Sequence, residues 1–423
     1  MQFRYGCDTR TLSLPSYYRC ETLLPRSVPV LNDPALAVRA ALDKPIGAPP
    51  LREVLRPGER VAILVNDITR LVHSDVFLPV LVSEINACGI PDRDIDIIFS
   101  LGLHRAQSPD EQKRIVGEEI ARRIALYDHD GRTRDNLVSL GRTSRGNEVW
   151  INRRAYEADR VILTGEIIYH QIAGYSGGRK SLVPGVAGAD TVNFNHQLVL
   201  DPKCAPGVLD GNPAHEDLLE ACRLFNPDFL LNVVPSLSGG WAQVVAGHFD
   251  LAHRAGCETV DQLCRIAIDE PYDVVLASAG GFPLDIDLRQ AHKGMENAAR
   301  ALRSGGTLVY FAECTDGTGS KLIDEWTAKF SVTADMECAL RSNFVVGAHK
   351  AYWLARLGDR VKVLLVSNLP DDLVRRCHLH TVSDPGKAVG EELNRLGASA
   401  RVAYIPHAGV TLPRLAGEQT FAA

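Results

Sequence analysis

Residues 169–196, YHQIAGYSGGRKSLVPGVAGADTVNFNH, gather two histidines, five glycines and one lysine. The segment follows the apolar run 161–168, so His170 falls where a parallel strand would hand its side chains to a ligand crevice. Gly174, Gly177 and Gly178 permit a small molecule to approach the backbone closely, and Lys180 follows at once. Two further strand ends carry polar chemistry. RVAILVND runs into Asp67-Ile68-Thr69-Arg70, and DIDIIFS runs into Leu101-Gly102-Leu103-His104-Arg105. A lone histidine at a strand end is more often a hydrogen-bonded structural residue than a catalyst. His104 and His170, delivered by separate strands, suit a pair of acid/base groups acting on opposite faces of one carbon, because imidazole exchanges a proton near neutral pH.

Lys180 admits several readings. GYSGGRKS is not a phosphate-binding P-loop, since Arg179 stands where that motif needs glycine, and a nucleoside triphosphatase is therefore disfavoured. A lysine here can pair with a ligand carboxylate or phosphate, or form a covalent attachment through a desolvated amine; residue chemistry alone favours the ion pair. Further along, Gln290 and Lys293 have the i,i+3 spacing that shares one helix face, ordinarily a solvated one.

These residues need a scaffold, and the chain length bounds it. At 423 residues the sequence exceeds what one core usually supports, so two domains are expected. Apolar runs at 60–65, 94–100, 160–168, 229–234, 272–277, 306–311, 361–366 and 401–405 alternate with helical stretches, which predicts α/β domains with mainly parallel sheets. Ser108-Pro109-Asp110-Glu111 reads as a capping box opening a helix to about Ala125. Residues 257–270 read as a helix ending at Pro271, which puts the domain boundary near 270: a cofactor-binding domain over 1–270 and a second α/β domain over 271–423.

Composition narrows the partners. A 45% hydrophobic and 23% charged content is that of a soluble globular enzyme, and a net charge of -6 points away from nucleic acid and anionic membranes toward a small molecule. No run of about 18 apolar residues exists and MQFRYGCDTR lacks the apolar core of a signal peptide, so a cytoplasmic location is expected. The ten cysteines form no CxxC pair and read as reduced core residues.

The motifs DITR, GLHR, His170, SGGRK, PGVAG and FNH, followed by GNPAHED at 211–217 and DLRQAHKG at 287–294, resemble the nickel-pincer-nucleotide lactate racemase family in order and spacing across most of the chain. The resemblance implies an active site in the cleft between two domains. It implies a pyridinium mononucleotide with two sulfur-containing arms, one joined to Lys180 as a thioamide, and nickel held by two sulfurs and a ring carbon of that group together with His196. Without the resemblance, His196 would pass for a helix or turn residue beside Asn193 and Asn195. Sulfur and imidazole ligands in a planar arrangement suit nickel(II).

By the same resemblance His104 and His170 are the acid/base residues of a racemase or epimerase that inverts C2 of a 2-hydroxy acid by reversible hydride transfer. Asp67 and Thr69 face the cofactor's nucleotide part; Arg70, Gln290 and Lys293 face the substrate. Cofactor-biosynthesis enzymes are the implied protein partners. Two departures stand out: Leu103 replaces the threonine of the family's GTH motif, and Arg289 stands where lactate racemase carries tyrosine. A guanidinium ill suits a methyl end, so Arg289 predicts a longer or more polar substrate, aldonate or malate-like, unless it points to solvent. Two other readings are a nicotinamide-dependent dehydrogenase, which lacks its GxGxxG here, and a non-catalytic carrier of the nickel group, which would not need His104, His170 and Lys293 together.

Overall fold

The computed structural model describes residues 1–15, 17–70 and 72–417, and the chain divides into two compact α/β units. One is Ser27–Leu263; the other joins Met1–Arg26 to the described residues from Cys264 onward.

The Ser27–Leu263 unit is built on a six-stranded sheet in the order Trp241–Gly247, Phe229–Pro235, Arg160–Glu166, Val61–Asn66, Ile95–Ser100 and Ala125–Asp128. Trp241–Gly247 is antiparallel to its neighbour, while the other pairings are parallel. Strands buried on both faces read as continuous apolar runs, and this sheet shows why. Along Val61–Asn66, Ile63 and Val65 enter a core with Phe77, Leu81 and Ile97, whereas Ala62 and Leu64 enter the opposite core with Val149, Leu163 and Leu182. The chain leaves Val61–Asn66 toward Ile95–Ser100 on one side and later returns to Arg160–Glu166 on the other. That reversal creates a crevice outside the carboxyl ends of the central strands.

The second unit holds a fully parallel sheet in the order His380–Thr381, Lys362–Val366, Leu302–Phe311, Tyr272–Ser278, Val402–Ile405 and Cys20–Thr22. The expected assignment of all of 1–270 to the first domain differs here. The first 26 residues belong with the C-terminal unit, because Cys20–Thr22 pairs with Val402–Ile405 and Phe3 stacks on Phe311 at 4.1 Å between ring centres. The other cut falls between Leu263 and Cys264, close to the expected 270.

Two helices also differ from expectation. The Ser108 capping box forms, with Glu111 N donating to Ser108 Oγ at 3.2 Å and Ser108 N to Glu111 Oε2 at 2.8 Å. Gly117, at φ 83°, then splits the run into Pro109–Val116 and Glu118–Arg123, and Ala125 already starts a strand. The helix expected over 257–270 is Leu251–Cys264; its remainder, Arg265–Ile268, is a strand beside Leu412–Leu415. That pairing is nearly 150 residues away in sequence, beyond the reach of local propensity.

Candidate active site

The three chemistry-bearing strands are neighbours in one parallel sheet, in register at Asn66 with Ser100 and at Leu64 with Leu163. Their carboxyl ends therefore open on the same edge, where DITR, GLHR and the 169–188 loop begin. Gly102 N donates to Gly185 O at 2.8 Å, and Ser100 Oγ to Ser181 O at 2.9 Å, so the loop is tied directly onto these strand ends.

Asp67 is 4% exposed, and its two oxygens are divided between neighbours. Oδ1 accepts from the Thr69 hydroxyl at 2.6 Å and from Thr69 N at 3.2 Å; Oδ2 lies 2.5 Å from His104 Nδ1. Burial alone would raise the Asp67 pKa, but the bonds from His104 and Thr69 outweigh it and hold the carboxyl below its usual value. An ionised carboxylate only accepts, so in the neutral ring Nδ1 carries the proton and Nε2 keeps the lone pair. The His104 side chain is 60% exposed, so this lone pair faces open space as a base. These contacts add a role that the assignment of Asp67 and Thr69 to the cofactor did not include: they orient His104.

His170 is set the other way. Its Nδ1 accepts from the backbone N–H groups of Ile172 and Ala173, each at 3.2 Å, so the neutral ring carries its proton on Nε2. One imidazole is thus built as an acceptor and the other as a donor.

Lys180 lies in the short turn Gly178–Ser181, half-buried and without a side-chain hydrogen bond among the described residues. Burial first, then the nearby guanidinium groups of Arg179 and Arg70, lowers its pKa to about 7. Such a lysine holds a substantial neutral fraction near neutral pH, which is the form that makes covalent bonds. Glu166, at the end of its strand, is pushed the opposite way: burial raises it, and Arg70 and His73 offset only part of that. Arg70 therefore stands among Glu166, Lys180 and the His104 side of the sheet, where the sequence expected a substrate-facing cation.

Arg179, noted in the sequence only for spoiling a P-loop, is 1% exposed. Its Nη2 donates to Ala173 O at 2.7 Å and Tyr175 O at 3.1 Å, and Nη1 lies 3.0 Å from His253 Nε2. The guanidinium laces the glycine-rich segment from within and so fixes the ground beneath Lys180. An arginine among glycines with no acidic neighbour was the available signal.

His196 sits on the helix Ala189–Gln197 and places Nδ1 2.8 Å from Val192 O. A carbonyl accepts, so Nδ1 carries the proton and Nε2 the lone pair, the tautomer in which a histidine ligates a metal through Nε2. The GNPAHED motif acts as a brace. Asn212 caps the helix Pro213–Phe225 and donates to Ile172 O at 2.8 Å, beside His170. Asp217, fully buried, accepts from Asn195 at 2.9 Å, Asn147 at 2.8 Å and Thr143 at 2.7 Å, which fixes the helix bearing His196.

Lys180 and His196 fit the group the family resemblance implies: one offers an amine whose pKa is lowered to about 7, the other an imidazole held in the tautomer that keeps the lone pair on Nε2. As the resemblance implies, His196 would give the metal one imidazole nitrogen beside the ligands of the bound group.

In the other unit the expected helix face forms. Asp287 caps Leu288–Ala299 by accepting from Gln290 N at 2.7 Å, and Lys293 Nζ donates to Gln290 Oε1 at 2.6 Å. Arg289 is about half exposed and lies 3.5 Å from Asp287 Oδ2. A surface cavity of about 460 Å³ lined by Arg60, Asp96, Tyr127, Arg153 and Arg154 contains none of the residues singled out in the sequence.

The lactate racemase N-terminal domain family matches residues 5–207 and the lactate racemase C-terminal domain family matches 268–412. The lactate racemases of Thermoanaerobacterium thermosaccharolyticum and Lactiplantibacillus plantarum are each 31% identical to it, over 376 and 377 residues, covering 87% of this chain and 88% of theirs. The solved lactate racemase apoprotein from T. thermosaccharolyticum superposes with a TM-score of 0.89 at 30% identity, over 98% of this chain and 99% of that one. A Thermotoga maritima protein of solved structure shares the fold with a TM-score of 0.65 at 17% identity, over 92% of this chain and all of its own. With both halves of the family matched and the histidine pair, Lys180 and His196 poised as described, this chain belongs to the lactate racemase family.

Proposed function

We propose that this protein inverts C2 of a polar 2-hydroxy acid, with a nickel-pincer nucleotide attached at Lys180 and its nickel ligated by His196. The observation that carries the reading is the opposite presetting of two imidazoles: His104 accepts through Nε2 because Asp67 holds its Nδ1, and His170 donates through Nε2 because two backbone amides occupy its Nδ1. When bound, the nucleotide supplies the acceptor and donor of the C2 hydride. The protein supplies proton transfer and orientation. His104 takes the hydroxyl proton at Nε2 as C2 becomes planar, while His170 Nε2–H hydrogen-bonds the same oxygen; the proton held by His104 returns to that oxygen when hydride comes back to the opposite face of C2. Thr69 and Asp67 keep the His104 ring in its tautomer, while Arg70 stabilises negative charge at the substrate oxygen. Gln290 and Lys293, already hydrogen-bonded to each other, take the substrate carboxylate as a charge-assisted pair.

Arg289 favours malate-like or aldonate substrates over lactate, since a guanidinium gains charge-assisted bonds from a distal carboxylate or hydroxyl and none from a methyl end. The test uses protein co-expressed with the cofactor's biosynthetic enzymes and single enantiomers of lactate, malate and gluconate carrying deuterium at C2. Loss of optical activity with the label kept is expected. Washout of the label to solvent hydrogen would overturn the hydride route, and a ranking of substrates unchanged by Arg289→Tyr would remove Arg289 from the substrate.

A further inference from the structure

His170 rides on a hairpin with only two residues in each strand, Tyr169–His170 against Gly174–Tyr175. So short a pairing does not hold its own shape in water. Its register sets Tyr169 opposite Tyr175 and His170 opposite Gly174. Successive side chains of a strand point to opposite faces, so the two tyrosines share one face and His170 takes the other. The tyrosine rings lie 5.4 Å apart between centres, and both phenols donate to a single oxygen, Asp261 Oδ1, at 2.8 Å from Tyr169 and 2.6 Å from Tyr175.

Asp261 is carried by the helix Leu251–Cys264, which presses on this segment along one face. His253, Cys257 and Asp261 recur on that face at i, i+4 and i+8. His253 Nε2 lies 2.8 Å from Ser176 O, directly after the hairpin. Just before the hairpin, Ile167 packs so closely on the helix that a Cβ at Gly256 would sit 2.3 Å from its Cδ1. The turn of the hairpin is held separately, by Asn212 donating to Ile172 O at 2.8 Å and Gly207 N to Gly174 O at 3.0 Å. Between these holds lie the Ile172 and Ala173 amides that donate to His170 Nδ1 at 3.2 Å each. Such bonds are at the long end of the normal range, so a small opening of the hairpin breaks them and releases the ring to its other tautomer.

We propose that Asp261, acting through Tyr169 and Tyr175, is the positioning residue for His170: it keeps the hairpin closed, and with it the tautomer that presents Nε2–H to the substrate oxygen. The inference rests on the racemase reading above and deepens it. A carboxylate oxygen has room for two donors, and hydroxyl bonds to a carboxylate are stronger than those between neutral groups, so one residue can clamp both strands.

The experiment reads the ring directly and then the reaction. In apoprotein carrying 15N-labelled histidine, with the His170 signals identified by their loss in His170→Ala, the parent is expected to show the Nε2–H tautomer and Asp261→Ala a mixture of both. In cofactor-loaded protein given single enantiomers of lactate, malate and gluconate, Asp261→Ala should lower kcat by about 10- to 100-fold with KM within about threefold, because misplacing a group by an ångström costs that much. Asp261→Asn keeps an acceptor oxygen for both phenols and should stay within about fivefold of the parent. The Tyr169→Phe, Tyr175→Phe double variant keeps the stacked rings without the hydroxyls and should behave like Asp261→Ala, which covers the case in which Asp261→Ala does not fold. Parent-like kcat with a parent-like His170 tautomer in either folded variant overturns the positioning role and leaves the racemase reading intact, even where the Tm has dropped. A parent whose His170 shows no preference for Nε2–H overturns this inference together with the opposite presetting of the two imidazoles. A parent that inverts none of the three acids removes the racemase reading, while the tautomer in Asp261→Ala still decides whether Asp261 sets the His170 ring.

Discussion

Asp67 spends both oxygens on keeping one imidazole in one tautomer, and that makes it the most sensitive residue that need not touch the substrate. Asn at this position can donate where aspartate only accepts, so the His104 ring would turn its lone pair inward. Asp67→Asn is expected to lower turnover by roughly 100-fold or more, as loss of a positioned acid/base group does, while the mass of the attached cofactor stays in place. His104→Ala and His170→Ala should each fall by a similar factor; two singly substituted enzymes with near-parent turnover would refute the two-imidazole scheme. Lys180 makes a different prediction, readable without any cofactor. With its pKa lowered to about 7 from 10.5, its acylation by a simple anhydride should rise through pH 7 and level off, whereas an ordinary lysine would keep gaining reactivity to pH 10. Between those two pKa values the folded chain binds fewer protons than the unfolded one, so this group's contribution makes stability rise with pH over that window. A labelling curve that climbs only above pH 9 would show the amine to be solvated and protonated.

At the scale of elements, the glycine-rich turn works because Arg179 fills its interior and because two of its glycines have no room for a side chain. Gly178 has φ +55°, and a Cβ there would sit 2.7 Å from the His253 ring. Gly177 has φ +71° and would place a Cβ 2.7 Å from Asn232 Oδ1, the atom that accepts from Gly178 N at 2.8 Å. Gly178→Ala should therefore cost about 1–3 kcal/mol through strain and a displaced ring, read as a lower midpoint in urea. The same variant should raise the pH at which Lys180 acylates, because a loosened turn hydrates the amine. A variant with parent stability would mean that His253 moves aside freely.

For the whole molecule, residues 1–26 belong structurally to the C-terminal unit, where Phe3, Tyr5, Leu12 and Leu23 are buried and Tyr272 hydrogen-bonds Glu21. At about 1.5–3 kcal/mol for each large buried side chain, their removal costs an amount comparable with the 5–15 kcal/mol that stabilises an ordinary domain. A chain beginning at Ser27 is expected to keep a cooperative transition for the Ser27–Leu263 unit and to lose the one from the C-terminal unit, seen by calorimetry as one endotherm in place of two. Two endotherms in the truncated chain would show that the N-terminal segment is dispensable.

What the residues disclosed unaided was local. Eight apolar runs became eight parallel strands, since burial on both faces leaves an uninterrupted signature in each strand alone, and the Ser108 capping box declared itself within four residues. His104, His170, Lys180 and His196 could be picked out by type and spacing, and the family resemblance could assign them roles. Other features depended on partners distant in sequence. Arg265–Ile268 became a strand because Leu412–Leu415 lay beside it, and Met1–Arg26 joined the second unit because Val402–Ile405 offered an open edge. Asp67 turned to His104 across 37 residues, and Arg179 went inside because the carbonyls of Ala173 and Tyr175 converge there. Propensity and periodicity act over a few residues, whereas tautomers, lowered amine pKa values and crowded charges are set by whatever the folded chain brings within a few ångströms, and no window of sequence contains that distance.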